Sequence, residues 1–414
     1  MLPDRSPMAE CLPPGWAMTP LLELCFIMSG GTPSKSHPDF WQGDIPWVSG
    51  KDLKAPRLYD AIDHVSEQAI GAGTRIAPEG SVFVLVRGMG LAKDLPIALA
   101  MRPMAFNQDI KALVPKTAGL GAFMRAAIYH RRDQLRSRIV PSAHGTMTLN
   151  LDDIQSFEIA MPSDPSEAKS VASALDVVLD MAVKAREVLA RGQNLKNAVC
   201  RSLLTGGLRG EAQKETSIGP MPVSWDAPTV AESVLPFRFD RSCQIPASSY
   251  STSGKWPIVD QGQSFISGYV DDEKLVIRPD SPLIIFGDHT RKFKFVDFPF
   301  ALGADGTKPL KAGQGFESKY LYHALSALEV PSRGYNRHYT VLSGMRIPQP
   351  SPDEQREITS VLDTIDLKID LHRKKCAVID ELLKTLMHKL MTGQIRVSDL
   401  DLSALAVPTV EATV

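Results

Sequence analysis

The sequence predicts an α+β protein made of two globular domains in tandem, each followed by a long helix. The two helices are expected to pair as an antiparallel coiled coil with pseudo-twofold symmetry. Three observations carry that expectation: an internal repeat, two helices with matching apolar seams, and short apolar runs punctuated by turn residues.

The repeat comes first because an internal period decides the whole architecture. DPSEAKSVASALD (164–176) lies over SPDEQREITSVLD (351–363) at an offset of 187 residues, sharing Pro165/Pro352, Glu167/Glu354, Ser173/Ser360, Leu175/Leu362 and Asp176/Asp363. At the same offset RSLLTGGLR (201–209) falls on HKLMTGQIR (388–396). Upstream, IVPSAHGTMTLN (139–150) resembles EVPSRGYNRHYTVL (329–342) at an offset of 190, a shift that a loop tolerates. A helix-like stretch precedes each VPS, at 121–138 and 317–328. The expected organisation is a first globular domain at 1–162, a first helix region at 163–210, a second domain at 211–350, a second helix region at 351–398 and a C-terminal tail at 399–414.

The helices are legible position by position. Ile358, Leu362, Ile365, Ile369, His372, Cys376, Ile379, Leu383, Leu386 and Leu390 step 4-3 without a break, which is a coiled-coil seam interrupted by His372. Ser351-Pro352-Asp353-Glu354 is a helix start and Gly393 a stop. The first copy places Val171, Leu175, Val178, Ala182, Ala185, Leu189, Gly192, Lys196, Val199 and Leu203 in the same phase, with a weaker seam at Gly192 and Lys196. A helix over 353–390 spans roughly 57 Å, long enough to act as a ruler between two domains. In the globular parts SVFVLV (81–86), PIALAM (96–101), KLVIRP (274–279) and PLIIFG (282–287) read as strands between Gly, Pro and Asp turns.

Composition narrows the class of function. The 414 residues carry a net charge of −1, so any basic face is local. Five cysteines (Cys11, Cys25, Cys200, Cys243, Cys376) are scattered and never form CxxC, which suits a reducing cytoplasm and speaks against a disulfide framework or structural zinc. The apolar run GWAMTPLLELCFIMSGG (15–31) is interrupted by Pro20 and Glu23 and lacks a preceding positive cluster, so it does not read as a signal peptide. No uncharged apolar run of about 18 residues occurs, and no membrane partner is expected. GxxxxGK[ST], HExxH, GxSxG and the aminomethyltransferase tetrapeptides are all absent, and the histidines lack metal spacing. No catalytic residue and no metal ligand is assigned.

What remains is polar, basic and borne on loops. In the first copy, SGGTPSK (29–35) and DIPWVSGKDLK (44–54) offer Thr32, Ser34, Lys35, Trp47 and Lys51, a composition suited to phosphate contacts. VRG (86–88) adds Arg87, and FNQDIKAL (106–113) adds Asn107, Gln108 and Lys111. Asn and Gln can pair bidentately with adenine, and Arg with guanine. Arginines at 125, 131, 132, 136 and 138 extend the basic set. The second copy offers Ser253, Lys255 and Gln261 in STSGKWPIVDQG, His289, Arg291 and Lys292 in GDHTRKFK, Lys308 in ADGTKPL, and Tyr335, Asn336, Arg337 and His338 in SRGYNRHY. Any one of these alone reads as a solvated turn. Their recurrence in both copies favours nucleic-acid binding.

Taken together, GGTPSK…FWQGDIPWVSGKDLK, FNQDIKAL, SGKWPIVDQGQSFISGY, IIFGDHTRKFKFVDFPF, ADGTKPL, GYNRHY and PxPDEQREI…LMTGQIR resemble the specificity subunit of type I restriction–modification systems, from about Trp16 to Arg396. The first helical region departs from that pattern, reading SDPSEAKS where these proteins usually read PPxxEQ. The resemblance implies two target recognition domains, each gripping one half of a bipartite site on double-stranded DNA, with the paired helices setting the gap. It implies a non-catalytic chain that seats two methyltransferase subunits, and further restriction/translocase subunits. S-adenosylmethionine, ATP and Mg are then expected in those partners and none in this chain. The competing class is a coiled-coil scaffold binding protein rather than DNA. An enzyme fused to its own recognition module would need a cofactor motif that the sequence does not offer.

Overall fold

Short β-branched and aromatic runs bounded by glycine and proline become strands in both halves of the chain. The structure is a computed structural model that describes residues 12–142, 145–240, 243–303, 306–332, 334 and 337–401. The chain divides into two compact units, one of residues 1–184 with 376–414, the other of residues 185–375.

In the first unit the strands of the two main sheets are β1 (Cys25–Ser29), β2 (Ile45–Val48), β3 (Arg57–Leu58), β4 (Asp63–Val65), β5 (Ile76–Ala77), β6 (Val82–Leu85), β7 (Ile97–Ala100), β8 (Met104–Phe106) and β9 (Ile110–Pro115). One sheet has the order β1-β9-β6-β7-β3 and the other β4-β2-β8-β5. Helix α1 (Gly121–His130) packs on β6 and β7. Every residue of β6 is buried, which is why it reads as a continuous apolar run rather than an alternating one. Phe83 meets Phe106 with ring centroids 5.2 Å apart, joining the two sheets. The segment Trp16–Pro20 pairs antiparallel with Glu158–Pro162, closing the globular part just before the first long helix.

The second unit repeats this plan. Its strands are β10 (Val234–Pro236), β11 (Trp256–Val259), β12 (Gly268–Val270), β13 (Val276–Ile277), β14 (Leu283–Gly287), β15 (Phe293–Val296), β16 (Phe300–Leu302) and β17 (Thr307–Ala312). They form sheets ordered β10-β17-β14-β15 and β12-β11-β16-β13. The parallel pairing in the four-stranded sheet of the first unit recurs in the corresponding sheet of the second, β2 with β8 and β11 with β16, while the edge strand β3 of the five-stranded sheet has no counterpart. Helix α2 (Ser318–Ser326) lies on β14 and β15 as α1 lies on β6 and β7. The repeat legible in the helices therefore extends through the topology of the globular parts.

The long helices run Pro165–Gly206 and Pro352–Met391. In the first unit Val171, Leu175, Val178 and Ala182 of one helix and Cys376, Ile379, Leu386 and Leu390 of the other are buried, as the 4-3 spacing requires. In the second unit Gly192 faces Ile369, Lys196 bonds Asp366 at 2.6 Å, and Leu208 N donates to Glu354 Oε1 at 2.8 Å. Partners descend along one helix as they ascend along the other, so the pairing is antiparallel. The two weak seam positions have physical reasons. Gly192 lies beside the Ile369 side chain and offers it no side chain to pack against, and Lys196 is neutralised by the Asp366 carboxylate.

Each long helix starts on a tryptophan clamp. Glu354 is 3% exposed and accepts from Trp225 Nε1 at 3.1 Å. At the matching repeat position Glu167 accepts from Trp16 Nε1 at 3.2 Å. Next to them the copies differ. Gln355 is fully buried, donating to Gly315 O (2.8 Å) and Pro350 O (2.9 Å) and accepting from Glu317 N (2.8 Å). Ala168, equally buried, stands in its place and has no side-chain amide to make such bonds. The departure in SDPSEAKS is thus an internal one, a missing amide clamp beneath the helix start. Asp176 and Asp363, the repeat's shared acids, bind Arg57 (2.6 Å) and Lys319 (2.9 Å) in their own units.

Among the described residues no helix is long and apolar enough to cross a membrane.

Candidate nucleic-acid interface

The glycine pair in SGGTPSK sets the first loop. A Cβ on Gly30 would stand 2.2 Å from Phe106 O, and one on Gly31 2.2 Å from Gly73 O, so only glycines let the chain lie this close to β8 and to the turn at Gly73. Gly31 N donates to Phe106 O at 2.9 Å, and Gly31 O accepts from Trp47 Nε1 at 3.0 Å. The loop then presents Ser34 and Lys35 to solvent, with Thr32 beside them. Thr32 Oγ1 donates to Gln108 Oε1 at 2.6 Å, and Ser34 shares a hydrogen bond with Ser36 at 2.6 Å.

Six of the residues expected from the sequence, Thr32, Lys35, Trp47, Lys51, Asn107 and Gln108, line one open cleft of about 540 Å³. Their roles differ. Trp47 is 7% exposed and packs edge-on against Trp41 at 5.0 Å, so it forms a wall rather than a free stacking platform. Asn107 is 8% exposed and its Oδ1 accepts from Asp109 N at 3.1 Å. Lys51 reaches Asp63 at 2.9 Å, and that carboxylate raises its pKa. Asp52, which the sequence does not single out, pins the lysine's turn by accepting from Ser49 N (2.8 Å), Ser49 Oγ (2.9 Å) and Ile62 N (2.9 Å).

Arg87 and Lys111 form a second feature of this unit. Arg87 is exposed on the loop after β6, while Lys111 on β9 donates to Ser29 Oγ at 2.7 Å. Partial burial, then the Arg87 charge, lower the Lys111 pKa. Among the described residues neither cation makes an ion pair, so both charges are available to an anion. Among the arginines of 121–138, three behave otherwise, which corrects their sequence reading, while Arg132 and Arg136 are half-buried. Arg125 and Arg131 are buried, Arg131 donates to Glu158 O, and Arg138 lies over the Phe157 ring.

In the second unit the corresponding loops are tied by buried acids. Asp260 accepts from Gly262 N (2.7 Å), Tyr250 OH (3.2 Å) and Ser267 Oγ, with Lys294 Nζ at 3.6 Å. Burial opposes its ionisation, but the hydrogen bonds from Ser267 and Gly262 and the Lys294 charge outweigh this and lower its pKa. Gln261 accepts from His289 N at 3.2 Å through its side chain and from Thr290 Oγ1 at 2.6 Å through its carbonyl. Asp288 is 1% exposed and accepts from the backbone N–H of His338 and Tyr339, each at 2.7 Å, which satisfies donors at the start of helix α3 (Tyr339–Gly344).

His338 is therefore corrected from a DNA-facing residue to a buried one. It is 1% exposed, with Nδ1 against Asp288 O at 2.8 Å. Ser253, Lys255, Arg291, Lys292 and Arg337 are exposed, and Lys308 is half-buried on β17. Lys255 shares the Trp256 ring with Arg278, at 4.9 and 5.1 Å from its centroid. Arg291 has a left-handed backbone (φ 60°), and its guanidinium donates to Val330 O at 2.9 Å. Tyr335 and Asn336 lie outside the described residues.

Comparison with known proteins fits this arrangement. Residues 13–187 match the family described as Type I restriction modification DNA specificity domain. Over 140 residues the chain is 34% identical to the specificity subunit of the type I restriction enzyme EcoR124I/EcoR124II of Escherichia coli, a stretch covering 32% of this chain and 34% of that one. Over 191 residues it is 26% identical to the MjaIX specificity subunit of Methanocaldococcus jannaschii, covering 44% and 42%. The matched stretches thus span about a third to two fifths of these relatives' own length. In fold, the chain is similar to a type I restriction–modification S subunit from M. genitalium, with a TM-score of 0.59, 15% identity and coverage of 91% of this chain and 96% of that one. The protein is of the two-domain, paired-helix kind, and it resembles type I specificity subunits by sequence over its first unit and by fold over nearly its whole length.

Proposed function

We propose that this chain is the DNA-recognition subunit of a type I restriction–modification complex, reading a bipartite site with one globular domain per half-site. The observation that carries the reading is the repeated two-sheet plan. Each copy sets exposed lysines and arginines on loops held by close glycine contacts and by acids bonded to backbone N–H groups, and each leads into one of two paired helices. Such loops suit base edges and phosphates in a groove. The paired helices suit a ruler for the unspecified bases between half-sites. In this reading the chain is non-catalytic. Two methyltransferase subunits bring S-adenosylmethionine, restriction/translocase subunits bring ATP and Mg, and the methyltransferase flips the target adenine.

Exposed apolar residues on the second long helix support docking of protein partners. In the second unit Leu367 and Leu371, four residues apart, are 63% and 57% exposed, and in the first unit Val378 and Leu382, also four apart, are 68% and 38% exposed. A pure scaffold would use the same residues, so the two readings separate on DNA. With methyltransferase subunits present, the chain should retain site-bearing duplex in a strongly salt-dependent manner. A near-neutral chain alone should bind far more weakly. Failure of the assembled complex to retain site-bearing duplex, or retention that ignores salt, would favour the alternative. For the ruler, four residues inserted into both long helices should lengthen the gap in the methylated sequence. An unchanged gap would remove the helices from that role.

A further inference from the structure

Where α2 meets the long helices of the second unit, three ligating side chains converge without satisfying one another. His323 is 2% exposed, and its Nε2 makes no hydrogen bond. It faces Asp363 Oδ1 at 3.6 Å, an oxygen that is itself buried and without a hydrogen-bond partner. Asp366 completes the group, since one ligand atom from each residue lies within 4.8 Å of the others. The two acids are three residues apart on one helix, which puts their carboxylates on the same side. Their remaining bonds go to lysines: Asp363 Oδ2 to Lys319 at 2.9 Å, and Asp366 to Lys196 at 2.6 and 2.7 Å.

A buried imidazole nitrogen and a buried carboxylate oxygen 3.6 Å apart are too far for a good hydrogen bond, and a third species between them would satisfy both. The geometry points to a structural binding site for a divalent transition metal, with His323, Asp363 and Asp366 as its protein ligands. One imidazole and two carboxylates form a donor set that zinc, cobalt and manganese accept. His323 also lines an open cleft of about 730 Å³ together with Lys196, which gives an ion a way in. Lys196 is then a built-in competitor, because its ammonium holds the Asp366 oxygens that the ion needs. An ion here would staple α2 to the second long helix. The inference holds whether or not the chain binds DNA.

The test uses the full chain, stripped with a chelator and titrated with Zn²⁺ by calorimetry, with Co²⁺ absorption as a second readout. One saturable equivalent is expected. Asp363→Asn, nearly isosteric and partly exposed, should weaken it at least tenfold, as should His323→Gln. Lys196→Met should tighten it several-fold, a gain that misfolding would not mimic. The pair His130–His388, 3.3 Å apart, is another place where imidazoles meet, so His388→Gln is the control and should change nothing. Absence of saturable binding would overturn the proposal. Binding that survives Asp363→Asn, that disappears in His388→Gln, or that weakens in Lys196→Met would do the same.

Discussion

Replacing Arg87 and Lys111 together by alanine is expected to lower the affinity of the assembled complex for its DNA by between tenfold and a hundredfold near 0.1 M salt. The magnitude follows from counterion release, in which each phosphate contact contributes about 0.9 to the slope of log affinity against log salt. Removing both cations should therefore reduce that slope by nearly two. The pair is the place to look because no acid among the described residues neutralises it, whereas Lys51 is spent on Asp63 at 2.9 Å. Lys51→Ala should accordingly change the slope much less. If Arg87 also reads a base, its single substitution should relax discrimination at one position, which a phosphate contact would not do. An unchanged salt slope in the double variant would remove both residues from the interface.

Glu354→Ala should cost far more stability than the equivalent change at the first helix start. It strands the Trp225 indole N–H, in a side chain 1% exposed, and takes an acceptor from Leu208 N. Leaving buried donors without their acceptor costs roughly 2–3 kcal/mol, which for the unit of residues 185–375 unfolding on its own lowers Tm by about 5–10 °C. Glu167→Ala removes the corresponding bond to Trp16 at a half-buried carboxylate and should cost clearly less. Thermal unfolding followed by tryptophan fluorescence reads both. Equal losses in the two variants would contradict the asymmetry assigned to the helix starts.

Particular residues show what the sequence can disclose. The seams are legible because 4-3 spacing is a local property, and every seam residue from Ile358 to Leu390 is buried or half-buried. The strands at 82–85, 97–100 and 283–287 are legible as apolar runs for the same reason. The repeat of the globular parts is visible only in fragments, because it resides in sheet order and pairing sense, which residue identities express weakly. The cleft in the first unit is legible in its polar residues, since loops rich in Gly, Thr and Lys announce themselves. The acids that hold the loops are not. Asp52 and Asp260 look like ordinary turn residues because each accepts from an N–H group two or three positions away, whereas Asp288 meets His338 only across 50 positions. His338 and Arg131 mislead for the same reason. A charge or imidazole in a basic stretch reads as exposed until a distant carbonyl is seen to bind it.

The most direct measurement of the central claim is a map of methylated adenines in a host carrying the complete system, with residues 16–162 exchanged for the corresponding domain of a relative. One half of the bipartite sequence should change, while the other half and the gap between them stay as they were. A change in both halves, or in neither, would contradict the assignment of one domain to each half-site.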